Sequence, residues 1–247
     1  MDSKSGKQSI FHDAMLRVAR AQKIMGDSQM QKGVNHDSLV TLGKSSYRWS
    51  ESIVEVFRNE NPENVNKIQC AAGCGWCCRL PVFASATEIF SIVQFLRDTL
   101  SEDELERVKD SVEKTTERID GWSIEKRKAN FVQCPLLVED SCSVYEVRPF
   151  VCRGYTSYDK EACRQKTEKE DPDQSIEGFL LQYLVPAYTR LGLQATVKAL
   201  GIEPKDIDLI RGLHRALQSP SLFDKWLSGE PVFDDIAIEV QIPSDLS

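Results

Sequence analysis

The chain has 247 residues, of which 41% are hydrophobic and 28% charged, enough apolar sequence for one sizeable core or two small ones. This composition excludes collagenous, low-complexity and natively disordered chains. The formal net charge of -7 argues against nucleic acid as a partner, because an acidic surface repels a phosphate backbone.

The first residues predict a cytoplasmic protein. Polar residues at positions 2–8 lead into His12 and Asp13, which interrupt any apolar run before it could form the core of a signal peptide. No stretch approaches the roughly 18 consecutive apolar residues that span a bilayer. We therefore expect no membrane association and a reducing compartment, in which clustered cysteines more often bind metal than form stable disulfides.

Two amphipathic helices are predicted before the first cysteine. One runs from Phe11 to Met25 and ends at Gly26, and the other begins at Asp37 as N-cap and continues to Val56. Their apolar stripes are typical of core packing rather than of cofactor binding.

Two capping boxes predict the next helices. Ser85 with Glu88, and Ser101 with Glu104, place a hydroxyl and a carboxylate where they can satisfy the free amides of a helix start. The second of these helices is expected to continue toward Trp122.

The pattern then changes to short apolar runs. Between Phe131 and Tyr145 these runs are broken by a turn-like tripeptide at residues 139–141, which predicts a small hairpin. A charged loop is expected over 166–174, followed by a helix over 176–187 and helical segments over 207–217 and 223–227.

The sequence as a whole predicts a mainly α protein with an irregular cysteine-rich metal-binding core and at most a small hairpin. We divide it into an N-terminal helical segment over 1–66, a cysteine-cluster metal-binding domain over 67–165 and a C-terminal helical segment over 166–247. We expect the three to pack as one globular unit.

All eight cysteines fall within 94 residues of the chain. They are Cys70, Cys74, Cys77, Cys78, Cys134, Cys142, Cys152 and Cys163. Thiolates are the soft ligands preferred by zinc and by iron–sulfur clusters, and four of them complete either kind of site. The eight could therefore form two four-sulfur sites, or one site with spare thiols.

Cys77 and Cys78 are adjacent, so in an extended chain their side chains would point to opposite sides and would not share one mononuclear ion. One of them would then bind a second metal, pack as a buried thiol or act in redox chemistry. The histidines, His12, His36 and His214, lie outside the cysteine-rich region and are not expected to be ligands.

Arginines and tyrosines lie near the cysteines. Arg79, Arg148 and Arg153 could offset thiolate charge, or could simply pair with carboxylates. Tyr145 and Tyr155 are interpreted as core residues with a hydrogen-bonded hydroxyl rather than as catalytic groups.

The cysteine pattern resembles the YkgJ-like cysteine-cluster family, a zinc- or iron-chelating domain. The residues that carry the resemblance are the CxxxCxxCC array at 70–78, Cys134-Pro135-Leu136, Cys142-Ser143-Val144-Tyr145, Arg148-Pro149-x-x-Cys152-Arg153 and Cys163. The resemblance implies that all eight cysteines belong to the family's pattern and that the protein binds zinc or iron. It implies no particular reaction.

Three functions follow as hypotheses. The first is a metal-binding protein that holds zinc or iron, with an iron–sulfur cluster included. The second is an iron–sulfur-dependent enzyme, such as a protein methyltransferase, because the double-cysteine pattern is also similar to part of the flagellin lysine methylases. The third is a thiol redox protein, which would require a thiol with a lowered pKa.

Overall fold

The computed structural model describes residues 3–71 and 73–246, with side chains from residue 12 onward. The side chain of Phe11, assigned above to an apolar stripe, lies outside the described ones. The helices are α1 (Ser3–Met30), α2 (His36–Glu60), α3 (Pro62–Val65), α4 (Ala86–Thr99), α5 (Glu102–Arg118), α6 (Ile124–Ala129), α7 (Phe150–Gly154), α8 (Lys160–Glu168), α9 (Leu180–Ala199), α10 (Leu209–Gln218) and α11 (Leu222–Leu227). The prediction of a mainly α protein is confirmed.

The strands form two small antiparallel sheets. They are β1 (Phe83–Ala84), β2 (Leu137–Val138), β3 (Ser141–Cys142), β4 (Lys205–Asp208) and β5 (Ala237–Glu239). Strands β2 and β3 form the predicted hairpin, in which Leu137 pairs with Cys142. The other sheet, in the order β1-β4-β5, was not predicted, and Ile207 belongs to its central strand rather than to a helix.

The longest helices pack closely because glycine removes side chains at their contacts. A Cβ added at Gly192 of α9 would collide with the carbonyl oxygen of Ala19 in α1, and one added at Gly26 would collide with Thr196. The prediction that the first helix ends at Gly26 is wrong. The helix continues to Met30, and the glycine serves a close approach between helices rather than a helix end.

One main hydrophobic core joins the three segments of the chain. It includes Leu39 of α2, Ile89 of α4 and Leu213 of α10, each with no more than 2% of its surface exposed. An aromatic cluster of Phe90, Phe223, Trp226 and Phe233 closes one side of this core. Both predicted capping boxes are present, at Ser85–Glu88 and Ser101–Glu104.

A buried ion pair links α6 to the three-stranded sheet. Arg127 Nε lies 2.7 Å from Asp208 Oδ2, and both side chains are almost completely buried. Asp208 also accepts hydrogen bonds from the backbone N–H groups of Ile210 and Arg211, so it caps α10.

Helix starts depend on neighbours as well as on local sequence. The N-cap of α2 is Asn35, which exchanges hydrogen bonds with Ser38, and not Asp37, which lies in the first turn. Helix α8 extends into the predicted loop over 166–174. Helix α9 begins only at Leu180, because Phe179 N donates to Thr156 Oγ1 and holds the preceding residues in a non-helical path.

Among the described residues, no helix combines the length and the apolar character needed to cross a membrane.

Candidate metal centre

The first four cysteines lie on a loop that ends in one turn of 3₁₀ helix over Trp76–Arg79. Gly73 has φ 79°, a left-handed conformation that favours glycine. Gly75 is buried, and a Cβ there would lie 3.1 Å from Leu137 and 3.2 Å from Asp140. The glycines therefore allow the loop to turn sharply and to lie against the β2–β3 hairpin.

Cys77 and Cys78 lie in the 3₁₀ turn and not in an extended chain, so the expectation of opposite directions does not apply. The neighbouring Cys78 thiol and burial both raise the pKa of the Cys77 thiol. We call these two residues the vicinal pair.

Three further cysteines are carried by the segment around the hairpin. Cys134 N donates to the carbonyl oxygen of Cys78 at 2.7 Å, which joins this segment to the vicinal pair. Cys142 lies on β3, and Cys152 lies on α7. The amide of Phe150, at the start of α7, donates to the buried carboxylate of Glu88 at 2.7 Å. Helix α4 therefore positions the helix that carries Cys152.

The turn of the hairpin brings a carboxylate to the cysteines. Glu139 and Asp140 have φ of 48° and 57°, although neither is glycine. Asp140 follows the last residue of β2 by two positions and lines the same cavity as the thiols.

Ser157 connects the last cysteine to the first. Its N–H donates to Cys70 Sγ at 3.2 Å. Its hydroxyl donates to the carbonyl oxygen of Asp159 at 2.8 Å and lowers the pKa of the Cys163 thiol, against the larger effect of burial. Cys163 lies on α8, which begins at the N-cap Asp159 and packs against the 3₁₀ turn. Residues 93 positions apart are thus brought together.

The structure brings the predicted ligands to a single cavity of about 530 Å³. Every cysteine except Cys134 lines it, and Cys134 packs behind it against the main core. The other lining residues include Trp76, Asp140, Tyr145, Arg148 and Tyr155. The walls thus combine thiols with aromatic and charged side chains.

The thiols divide into two groups by their electrostatic neighbours. Cys70, Cys74 and Cys163 form the peripheral group: burial and the nearby thiols of Cys74 and Cys77 raise the pKa of both Cys70 and Cys163.

Cys134, Cys142 and Cys152 form the core group. Burial is the main cause of the raised pKa of each, to about 11 for Cys134. The Cys77 thiol raises the pKa of all three further, and the Cys142 thiol raises that of Cys134 and Cys152. Cys77 is thus a neighbour of both groups. The vicinal pair lies between them.

Of the three arginines proposed to offset thiolate charge, Arg148 fits best. It lines the cavity, and its Cζ lies 4.0 Å from the ring centroid of Tyr145. Its charge lowers the pKa of Cys77, Cys142 and Cys152, although other effects, burial among them, raise each pKa by more. Arg153 instead forms an ion pair with Glu51, and Arg79 stacks over Trp76 at 5.1 Å.

Tyr145 has 60% of its surface exposed, so its interpretation as a core residue is wrong.

Two wall residues come from the flanking helices and were missed by sequence reasoning. Arg58 of α2 donates to Gln182 Oε1 of α9 at 2.8 Å, and both line the cavity. Each is a single polar residue on an amphipathic helix, and nothing in the sequence marks it as different from other solvent-facing residues.

The donor set fits a soft or borderline metal. Its sulfur atoms are the ligands that zinc and iron–sulfur clusters prefer, and aromatic and arginine side chains surround them. Within the described part of the chain, no three His, Cys, Asp or Glu groups already stand at ligating positions around one point. Because a cysteine side chain has a single rotatable χ1, rotation between staggered positions can move each sulfur without moving the backbone.

Comparison with known proteins agrees with this chemistry. Residues 69–174 match the family model "CxxCxxCC: putative zinc- or iron-chelating domain". Neither the curated proteins nor the solved structures gave a match.

Proposed function

We propose, from the match of residues 69–174 to a zinc- or iron-chelating family, that this protein binds its metal through the thiolates of all eight cysteines. The observation that carries the proposal is the cavity: seven thiol-bearing residues line it, and the eighth packs directly behind. Cysteines are rare, mostly buried residues, and their gathering from distant parts of the chain on one cavity needs a local cause.

The arrangement supplies enough sulfur for two four-thiolate sites. The peripheral group and the core group have three thiols each, and the vicinal pair between them supplies the remaining two. A metal ion would stabilise the charged thiolates that burial otherwise disfavours, so binding releases thiol protons and becomes tighter as the pH rises. Arg148 would offset part of the remaining negative charge.

Metal analysis of the purified full chain tests the proposal. After anaerobic preparation under reducing conditions, we expect two zinc or iron ions per chain if each group forms a mononuclear site. Cys74→Ser should lower the metal content, whereas Lys67→Ser, which changes an exposed residue outside the cavity and removes no thiol, should leave it unchanged. A wild-type chain that retains no metal and contains bridged cysteines instead would contradict metal binding and favour a disulfide protein.

An iron–sulfur cluster is the second candidate, and the size of the cavity favours it. About 530 Å³ is more space than a single ion requires, and the seven thiols that line it are more than the four that a cluster uses. An anaerobic preparation would then be brown and contain iron and acid-labile sulfide in equal amounts. A colourless preparation that contains only zinc would contradict this candidate and leave the first one standing.

A further inference from the structure

The two groups of thiols differ in what supports them. Leu136, Val144, Val147 and Phe150 surround the core group in sequence, and each has at most 3% of its surface exposed and belongs to the main hydrophobic core. Cys134 and Cys142 themselves pack against that core. The sulfur positions of this group are therefore fixed by the most closely packed part of the molecule.

The peripheral group has no such support. Among the described residues, none within 58–81 or 153–178 belongs to a hydrophobic cluster or is packed against one, whereas Cys152 follows the fully buried Phe150 by two residues in α7. Cys70 is the one exposed cysteine, whereas Cys163 has only 8% of its surface exposed, and the loop at Ser157 links the two. Gln69 completes this connection, because its N–H donates to the carbonyl oxygen of Ser157 and its Oε1 accepts from the amide of Lys160.

Regions with few buried apolar contacts open locally at a lower free energy than the core does. An ion held by the peripheral group can therefore lose its ligands one at a time to solvent. An ion held by the core group can leave only if the packing around the hairpin loosens. The vicinal pair touches both regions, because α8 packs against its 3₁₀ turn on one side and Cys134 bonds to Cys78 on the other.

We infer that the protein exchanges metal ions as cargo through the peripheral group of Cys70, Cys74 and Cys163, whereas the core group retains its ion. The vicinal pair connects the two sites. This inference rests on the proposed function and adds to it a direction of entry and a division between an exchangeable and a retained ion. When an ion leaves, each metal–sulfur bond is replaced by a bond from the ion to the acceptor's ligand, and the thiolate takes up a proton.

The test uses zinc as the probe on the full chain. Zinc-loaded protein under reducing conditions is mixed with an excess of a chromophoric chelator, and zinc release is followed with time. We expect two phases of similar amplitude whose rates differ by at least about tenfold. Cys70→Ser should remove the fast phase and leave the slow one unchanged, and Lys67→Ser, outside the cavity, should behave as wild type.

Alkylation provides a second readout that needs no variant. When a thiol-alkylating reagent is added during chelation, mass spectrometry should find Cys70, Cys74 and Cys163 modified during the fast phase. Cys134, Cys142 and Cys152 should be modified only during the slow phase. This order separates exchange at one site from general loosening of the protein.

The outcomes are distinguishable. A single release phase in the wild type, or loss of the slow phase in Cys70→Ser, overturns the inference while metal binding itself stands. Alkylation of both groups at one rate overturns it as well. A wild-type chain that binds no zinc under reducing conditions overturns the proposed function on which the inference rests.

Discussion

The helical part of the molecule is closely packed, since Ile89 and Ile92 of α4 are completely buried between α2 and α10. The cysteines, in contrast, lie on loops, on a hairpin whose strands have two residues each, and on helices of five and nine residues. The helices are stabilised by apolar burial and by capping hydrogen bonds. The cysteine-bearing parts, residues 66–81 and 131–168, have much less regular structure to hold them. The difference indicates that the helical part forms a frame on which the positions of the cysteines depend.

The largest expected effect lies where the two parts meet. Phe150 is fully buried and is the first residue of α7, the helix that carries Cys152. Its ring centroid lies 4.7 Å from that of Tyr47 in α2. Phe150→Ala should lower the free energy of unfolding by about 3–5 kcal/mol, measured by urea denaturation, because it leaves a cavity in the core. It should also reduce metal retention.

Leu180→Ala is the control for this prediction, since Leu180 has 59% of its surface exposed and its truncation should cost less than about 0.5 kcal/mol. Equal effects of the two substitutions would show that the frame and the cysteines are not coupled through Phe150.

A smaller effect is expected from the pH dependence of the core group. Burial raises the pKa of the Cys134 thiol to about 11 from an ordinary value of 9.0. In chelator-treated protein, the neutral thiol is therefore favoured in the folded state below pH 9, and this stabilisation is lost as the pH rises through 11. The loss amounts to about 2–3 kcal/mol.

Denaturation of the chelator-treated protein between pH 8 and 11 measures this loss. Other groups titrate in the same range, so the slope of stability against pH is compared with that of Cys134→Ala, which should be shallower. Identical slopes would assign the pH dependence to groups other than Cys134.

The smallest effect tests the helical frame alone. Ser101 caps α5 by accepting a hydrogen bond from the amide of Glu104, and this helix carries no cysteine. Ser101→Ala should lower the free energy of unfolding by about 1 kcal/mol. Metal content should not change, and a change would mean that the frame and the cysteines cannot be treated as separate regions.

The sequence was informative where the signal is local. The capping boxes at Ser85 and Ser101 specify helix starts through side chains three residues apart, and the hairpin over 137–142 follows from alternating apolar runs around a turn. Predictions from the sequence were wrong where a contact with a residue far away in the chain determines the local structure. Gly26 resembles a helix end, yet it lies inside a helix because α9 requires a close approach there.

Strand β4 shows the same limitation. Ile207 is apolar and is followed by a segment with helical periodicity, but its backbone pairs with Ala84 of β1, 123 residues earlier, and with Ala237 of β5. No short-range pattern reports such pairing. Arg58 and Gln182 belong to the candidate site for an equally long-range reason, because only the packing of α2 against α9 brings them to the cavity.

The sequence by itself determined the chemistry of this protein: eight thiols with glycines and arginines beside them, in the pattern of a zinc- or iron-chelating family, on a mainly helical chain. Only the tertiary structure decided which thiols are neighbours: Ser157 connects Cys70 to Cys163, Cys134 is hydrogen-bonded to Cys78, and Cys134 and Cys142 pack against the main core. The physical reason is that ligand type is a property of each residue. The neighbours and burial of each sulfur, in contrast, are set by the packing of segments far apart in the chain.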